Sequence, residues 1–146
     1  MTRAAVLVLA AVVSLLLGGC GDQKDQYCDA VKSHQRELGD LLGGGGADAL
    51  LEALPVFRDL AGDAPDDIRD DWRTVVDALE GLRDALDDAG VDPTTYDRDQ
   101  PPAGLTAKQK DAIDAAARRL TSPGTVAAFN AVDQQAKDVC GTPLQA

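Results

Sequence analysis

The chain is poor in the residues that most often carry chemistry. It has one histidine, one tryptophan, two tyrosines and two phenylalanines among 146 residues, so aromatics are only 3% of it and little is left to stack on a sugar. A single histidine with three cysteines falls short of a multi-ligand zinc site, and no Cys-x-x-Cys pair offers a redox motif. Beyond residue 20 the only serines are Ser33 and Ser122. Ser33 adjoins His34, but neighbours on a helix point about 100° apart and do not pair as nucleophile and base. The run Gly43 to Gly46 has neither a preceding strand nor a following Lys-Ser or Lys-Thr, so it is not a phosphate loop. No stretch alternates apolar and polar residues with period two, and strands are therefore not expected. Positive charge is also scarce, with 14 basic residues against 25 acidic ones and a net charge of −11. A field of that sign repels phosphate backbones and anionic head groups, which excludes nucleic acid as a natural partner. No enzyme and no cofactor are expected.

What the chain does have begins at its N-terminus. Arg3 is followed by Ala4 to Leu17, an apolar run without a charge, which is the layout of a secretory signal. About 14 residues at ~1.5 Å each are too short to span a ~30 Å hydrocarbon core, so cleavage is expected. Leu17-Gly18-Gly19-Cys20 resembles the bacterial lipobox, in which small residues precede a cysteine that is lipidated and becomes the new N-terminus. By that resemblance residues 1–19 are a lipoprotein signal peptide, Cys20 carries the lipid, and residues 20–26 are a short tether to a domain over residues 27–146. Two acyl chains hold a protein on a membrane where one is marginal. Localisation at the extracytoplasmic face of the cell membrane follows. Loss of the leader leaves 13 basic against 25 acidic residues, a net charge of −12, and a length suited to one domain.

Export to an oxidising compartment makes pairing of Cys28 with Cys140 the natural expectation. The two must then lie with Cα atoms within roughly 7 Å, so the first and last helices are neighbours. Abundant Ala, Asp, Gly and Arg with little Lys, together with the lipobox and the terminal cysteine pair, resemble the small lipoproteins of actinobacteria that carry a cysteine-bounded helical domain. The resemblance implies no substrate or catalytic residue.

Helical spacing organises the rest. Tyr27, Val31, Leu38, Leu41 and Leu42 form a first stripe with His34 or Gln35 on it, closed by Gly43 as a left-handed cap. Asp48 is placed to cap a second helix through Leu50, Leu51, Leu54, Phe57 and Leu60, with Pro55 kinking it or splitting it in two. Asp63 caps the strongest helix, whose stripe Ile68, Trp72, Val75, Leu79, Leu82 and Leu86 runs to Gly90. A proline-rich connector leads to a capping box at Thr106 and Gln109, then a helix through Ile113 and Leu120. Ser122 and Pro123 open the last helix, with Val126, Phe129, Val132, Ala136 and Val139 on its inner face. The expectation is an all-α, antiparallel bundle of four to five helices with its N- and C-terminal helices joined by the disulfide.

Two acidic clusters differ in meaning. Asp63, Asp66, Asp67, Asp70 and Asp71 crowd a helix start, where the dipole favours them and Arg69 and Arg73 are at hand. Asp84, Asp87, Asp88 and Asp92 crowd the other end, where the dipole disfavours acids. These four are a candidate Ca²⁺-type cation site, weighed against a solvated surface assisted by Arg83. His34 is expected to be a hydrogen-bonded bundle histidine, with a ligand or pH-sensing role as the alternative. The favoured function is a non-enzymatic helical binding domain tethered in the envelope, meeting a protein or cell-wall partner near Tyr96 and the acidic faces. The alternatives are a small-molecule or lipid carrier with a pocket between helices near Gly43 to Gly46 and Pro55, and the cation binder.

Overall fold

The computed structural model describes residues 19–145. The expected signal peptide, residues 1–19, therefore lies outside the described residues except for Gly19, as do the side chains of Cys20, the expected lipidation site, and Asp22. The described chain is all-helical: α1 (Gly19–Leu42), α2 (Gly46–Glu52), α3 (Leu54–Asp63), α4 (Arg69–Ala89), α5 (Ala107–Leu120) and α6 (Pro123–Gln135), the last running into a single π-helical turn, Ala136–Cys140.

Pro55 explains why there are six helices rather than five. It sits in the first turn of α3, and without an N–H it cannot give the Leu51 carbonyl the bond from four residues on that would continue α2; that carbonyl accepts a backbone N–H of the helix end instead. The guanidinium of Arg83, reaching across from α4, donates to the same carbonyl. The helix therefore breaks at Ala53, and the break is hydrogen-bonded rather than merely tolerated.

Three boundaries differ from expectation, each for a local reason. Gly43 does not reverse the chain; its N–H still donates to the Gly39 carbonyl at 3.0 Å, and the left-handed residues are Gly45 (φ 67°) and Gly46 (φ 99°). Gly45 thus takes the cap position assigned to Asp48, which lies instead in the first turn of α2. Asp63 does not cap α4, because Pro65 drives the residue before it, Ala64, into extended backbone (ψ 132°). A turn closed by Ile68 N–H on the Pro65 carbonyl at 3.1 Å intervenes, and Asp63 ends α3. Residues 20–26, expected as a tether, lie within α1, so Cys20 stands about 12 Å along the axis from Cys28.

Other boundaries follow the expected chemistry. Gly90 (φ 66°) terminates α4 with its N–H on the Asp87 carbonyl while Val91 N–H reaches the Leu86 carbonyl. Thr106 and Gln109 form the reciprocal capping box of α5, and Ser122 accepts from Thr125 N–H to open α6.

The core gathers around α4, which packs against α2, α3, α5 and α6. Trp72, Val75, Leu79, Leu82 and Leu86 are buried along it, with Ile68 just before its start. Phe57 lies 5.9 Å from the Trp72 ring and meets Phe129 edge-on at the same distance. Helix α1 packs on α2, α3 and the π-helical turn. Cys28 and Cys140 are bonded, with Cα atoms 5.1 Å apart across 112 residues of sequence. The tail folds back onto this junction: Gln35 donates to Thr142 Oγ1 at 2.6 Å and to the Pro143 carbonyl at 3.1 Å, and Leu144 is buried.

Candidate functional site

The candidate cation site is not assembled. Asp84, Asp87, Asp88 and Asp92 are all exposed, and no group of three His, Cys, Asp or Glu among the described residues is placed to hold a metal. Asp92 Oδ1 is engaged by Thr94, accepting from its N–H at 2.9 Å and its hydroxyl at 2.7 Å. Those two bonds hold its carboxyl below the usual aspartate range. Arg83, expected beside the cluster, is turned to Leu51. The left-handed turn at Gly90 sends Asp92 off the helix, which is why residues close in sequence do not converge. The N-terminal cluster pairs as anticipated, Asp66 with Arg69 at 2.5 Å and Asp70 with Arg73 at 2.8 Å.

His34 and Ser33 have separate local partners. His34 Nδ1 lies 3.0 Å from Glu37 Oε2, one turn along α1, while the Ser33 hydroxyl donates to the Ala30 carbonyl at 2.9 Å. The two side chains form no nucleophile and base pair. Tyr96 is half-buried against the core, and Arg98 binds Asp114 of α5 at 2.8 Å, so the proline-rich connector is strapped down over the bundle.

The buried polar pair is Tyr27 and Trp72. Trp72 Nε1–H donates to the Tyr27 hydroxyl at 3.0 Å inside the core. Burial raises the Tyr27 pKa above its ordinary value; the Trp72 bond offsets part of that, and the Asp67 charge adds to it. This pair fastens α1 to α4 and has no open face.

The feature that sequence reasoning only approached is an apolar groove of about 430 Å³. Leu50 of α2, Leu79 of α4, Leu120 at the end of α5, and Val126 and Phe129 of α6 wall it, with Thr121, Thr125 and Asn130 as its polar members. Thr125 is itself satisfied, donating to the Arg119 carbonyl at 2.8 Å. Gly46 and Ala47 border the groove, so it abuts the glycine joint. Val126, expected on the inner face, is instead 48% exposed, the one large exposed hydrophobic side chain among the described residues. The burial it was assigned falls to Thr125 and Ala128. The signal in the sequence was a sparse stripe: α6 offers few bulky residues with which to close its own face. Chemically the groove can take up an apolar group and hold it by burial alone. Nothing in it titrates or attacks.

Among known proteins, no family model, no curated protein and no solved structure matches this chain.

Proposed function

We propose that the protein is a cell-envelope lipoprotein, held on the extracytoplasmic face of the membrane by a lipid on Cys20. Its helices form an antiparallel bundle around α4, and that bundle is a non-enzymatic binding domain for another envelope component. The observation that carries the reading is the groove. An apolar recess lined from α2, α4 and α6, with Val126 left exposed at its edge, is what a domain retains when it buries part of a partner. Its position supports a partner over the protein's own anchor. The groove borders residues just beyond the end of α1, and that helix runs roughly 33 Å along its axis from Cys20 to Leu42. Charge adds a preference for basic surfaces, given a net charge of −11.

One observation favours a second reading, a carrier of a small apolar molecule or lipid. The groove volume of about 430 Å³ falls within the range of ligand pockets, roughly 300–1,000 Å³. A photo-cross-linking residue at Val126, compared with one at Asp84, an exposed residue of α4 that does not line the groove, separates these readings in cells. A single recurrent protein captured from Val126 alone supports the binding domain, and a lipid adduct from that position supports the carrier. Equal, unselective capture from both positions contradicts both. The anchor is tested separately: Cys20→Ala is expected to leave the protein unprocessed by lipoprotein maturation and unlipidated, and normal lipidated maturation would overturn it.

A further inference from the structure

A second recess, of about 260 Å³, adjoins the apolar groove, and Ala47 of α2 borders both. The two lie end to end on one seam. From the groove to the recess the lining passes from Leu79 to Leu82 and Leu86 along α4, and from Leu120 to Ala117 and Ile113 along α5. The joined trough therefore follows roughly 10 Å of each helix. Helix α2 forms the opposite wall, with Gly46 and Leu50 lining the groove and Asp48 and Leu51 lining the recess. That helix packs on α1, α3 and α4 but not on α5 or α6, which leaves the trough between them open. Pro93 and Tyr96 of the connector border its far end.

The two ends differ in charge. No charged side chain lines the groove, whereas the recess holds Asp48, Asp114 and Arg98 over a floor of buried Leu82, Leu86 and Ile113. Arg98 is paired with Asp114 at 2.8 Å. Asp48 has no ion-pair partner among the described residues. Its carboxylate turns back over Gly46, close enough that a Cβ on that glycine would stand 2.5 Å from Oδ1, and so sits where the groove and the recess join. We infer that the trough binds a single-chain amphiphile with a cationic head, its tail in the groove and its head in the recess beside Asp48. The tail is held by burial, and the head brings Asp48 the counter-charge that the protein does not supply. A carboxylate head would instead meet two carboxylates and a cation already paired. The inference rests on the carrier reading of the groove, and adds to it the charge of the head group and the direction in which the ligand lies.

Decylammonium and decanoate, equal in chain length and opposite in charge, are the probes, each kept below its micelle concentration in methyl-resolved NMR titrations of the full chain. Both are expected to shift Leu79 and Leu120 saturably. Decylammonium alone is expected to move Leu82, Leu86 and Ile113 as well, and to bind at least about fivefold more tightly. Asp48→Asn, an exposed substitution, is expected to weaken decylammonium about threefold and to leave decanoate no weaker. Because the whole chain is acidic, that variant separates a local contact from general attraction. Equal affinities, decylammonium shifts that stop at Leu79, or a preference undiminished in Asp48→Asn would overturn the inference while leaving the groove reading intact. If neither probe saturates, the groove reading itself fails and the inference with it.

Discussion

Helices α4 and α6 are both packed against the core, yet they do different work. Helix α4 buries seven side chains, from Trp72 to Leu86, and every helix but α1 leans on its backbone. Helix α6 buries three, Thr125, Ala128 and Val132, leaves Phe129 half-covered and Val126 exposed, and hands on to a π-helical turn. The difference traces to side-chain size along the stripe. A seam of Trp, Val and Leu at steps of three and four closes on its neighbours, whereas one built from Thr125, Ala128, Val132 and a half-covered Phe129 leaves gaps. Stability is concentrated where the stripe is bulky, and recesses open where it is not.

The comparison breaks first if truncation costs the same on both helices. Trp72→Ala is expected to lose about 3–5 kcal/mol, as deletion of a fully buried aromatic does, and Phe129→Ala less than half of that, both read by urea denaturation. Equal losses would mean that α6 is as much a core helix as α4. Replacing Cys28 and Cys140 together with serine removes a closure spanning 112 residues and should cost roughly 2–5 kcal/mol, with Tm as the readout.

Tyr27→Phe sharpens the picture of the α1–α4 junction. It strands the Trp72 Nε1–H donor in the core and should cost about 1–3 kcal/mol. The pH dependence has a definite sign. Because the folded Tyr27 pKa is raised, the folded state holds its proton more tightly than the unfolded chain does. That stability is fully present below the unfolded value of about 10 and is lost as pH rises above it. Alkaline melting curves should therefore fall less steeply for Tyr27→Phe than for the parent. The smallest effect belongs to Val126→Asp, which should change stability by no more than about 0.5 kcal/mol while removing uptake of apolar ligands.

Much of the fold is written in local patterns. The capping box at Thr106, the Ser122–Pro123 start, the Gly90 stop and the α4 stripe each depend on a few neighbouring residues, and the structure has all of them. The Cys28–Cys140 bond was legible from the positions of two cysteines behind an expected leader. Boundaries went astray where two local rules compete. At Asp63 the cap preference loses to the restriction that Pro65 imposes on Ala64, and at Gly43 four glycines leave the point of reversal to packing. The candidate site was the least legible part. The groove needs α2, α4, α5 and α6 to be placed before it exists. The acidic run from Asp84 to Asp92 misled for the same reason, since nearness in sequence did not become convergence in space.

The central claim is that this domain receives an apolar group against α6 while its α4 core stays closed. Methyl-resolved NMR of the full chain titrated with decanoate tests it most directly. Saturable shifts confined to Leu50, Leu79, Leu120 and Val126, with Leu54 and Leu60 of the core unmoved and the response lost in Val126→Asp, are the predicted result. Shifts that never saturate, that spread through the core methyls, or that survive unchanged in Val126→Asp would contradict it.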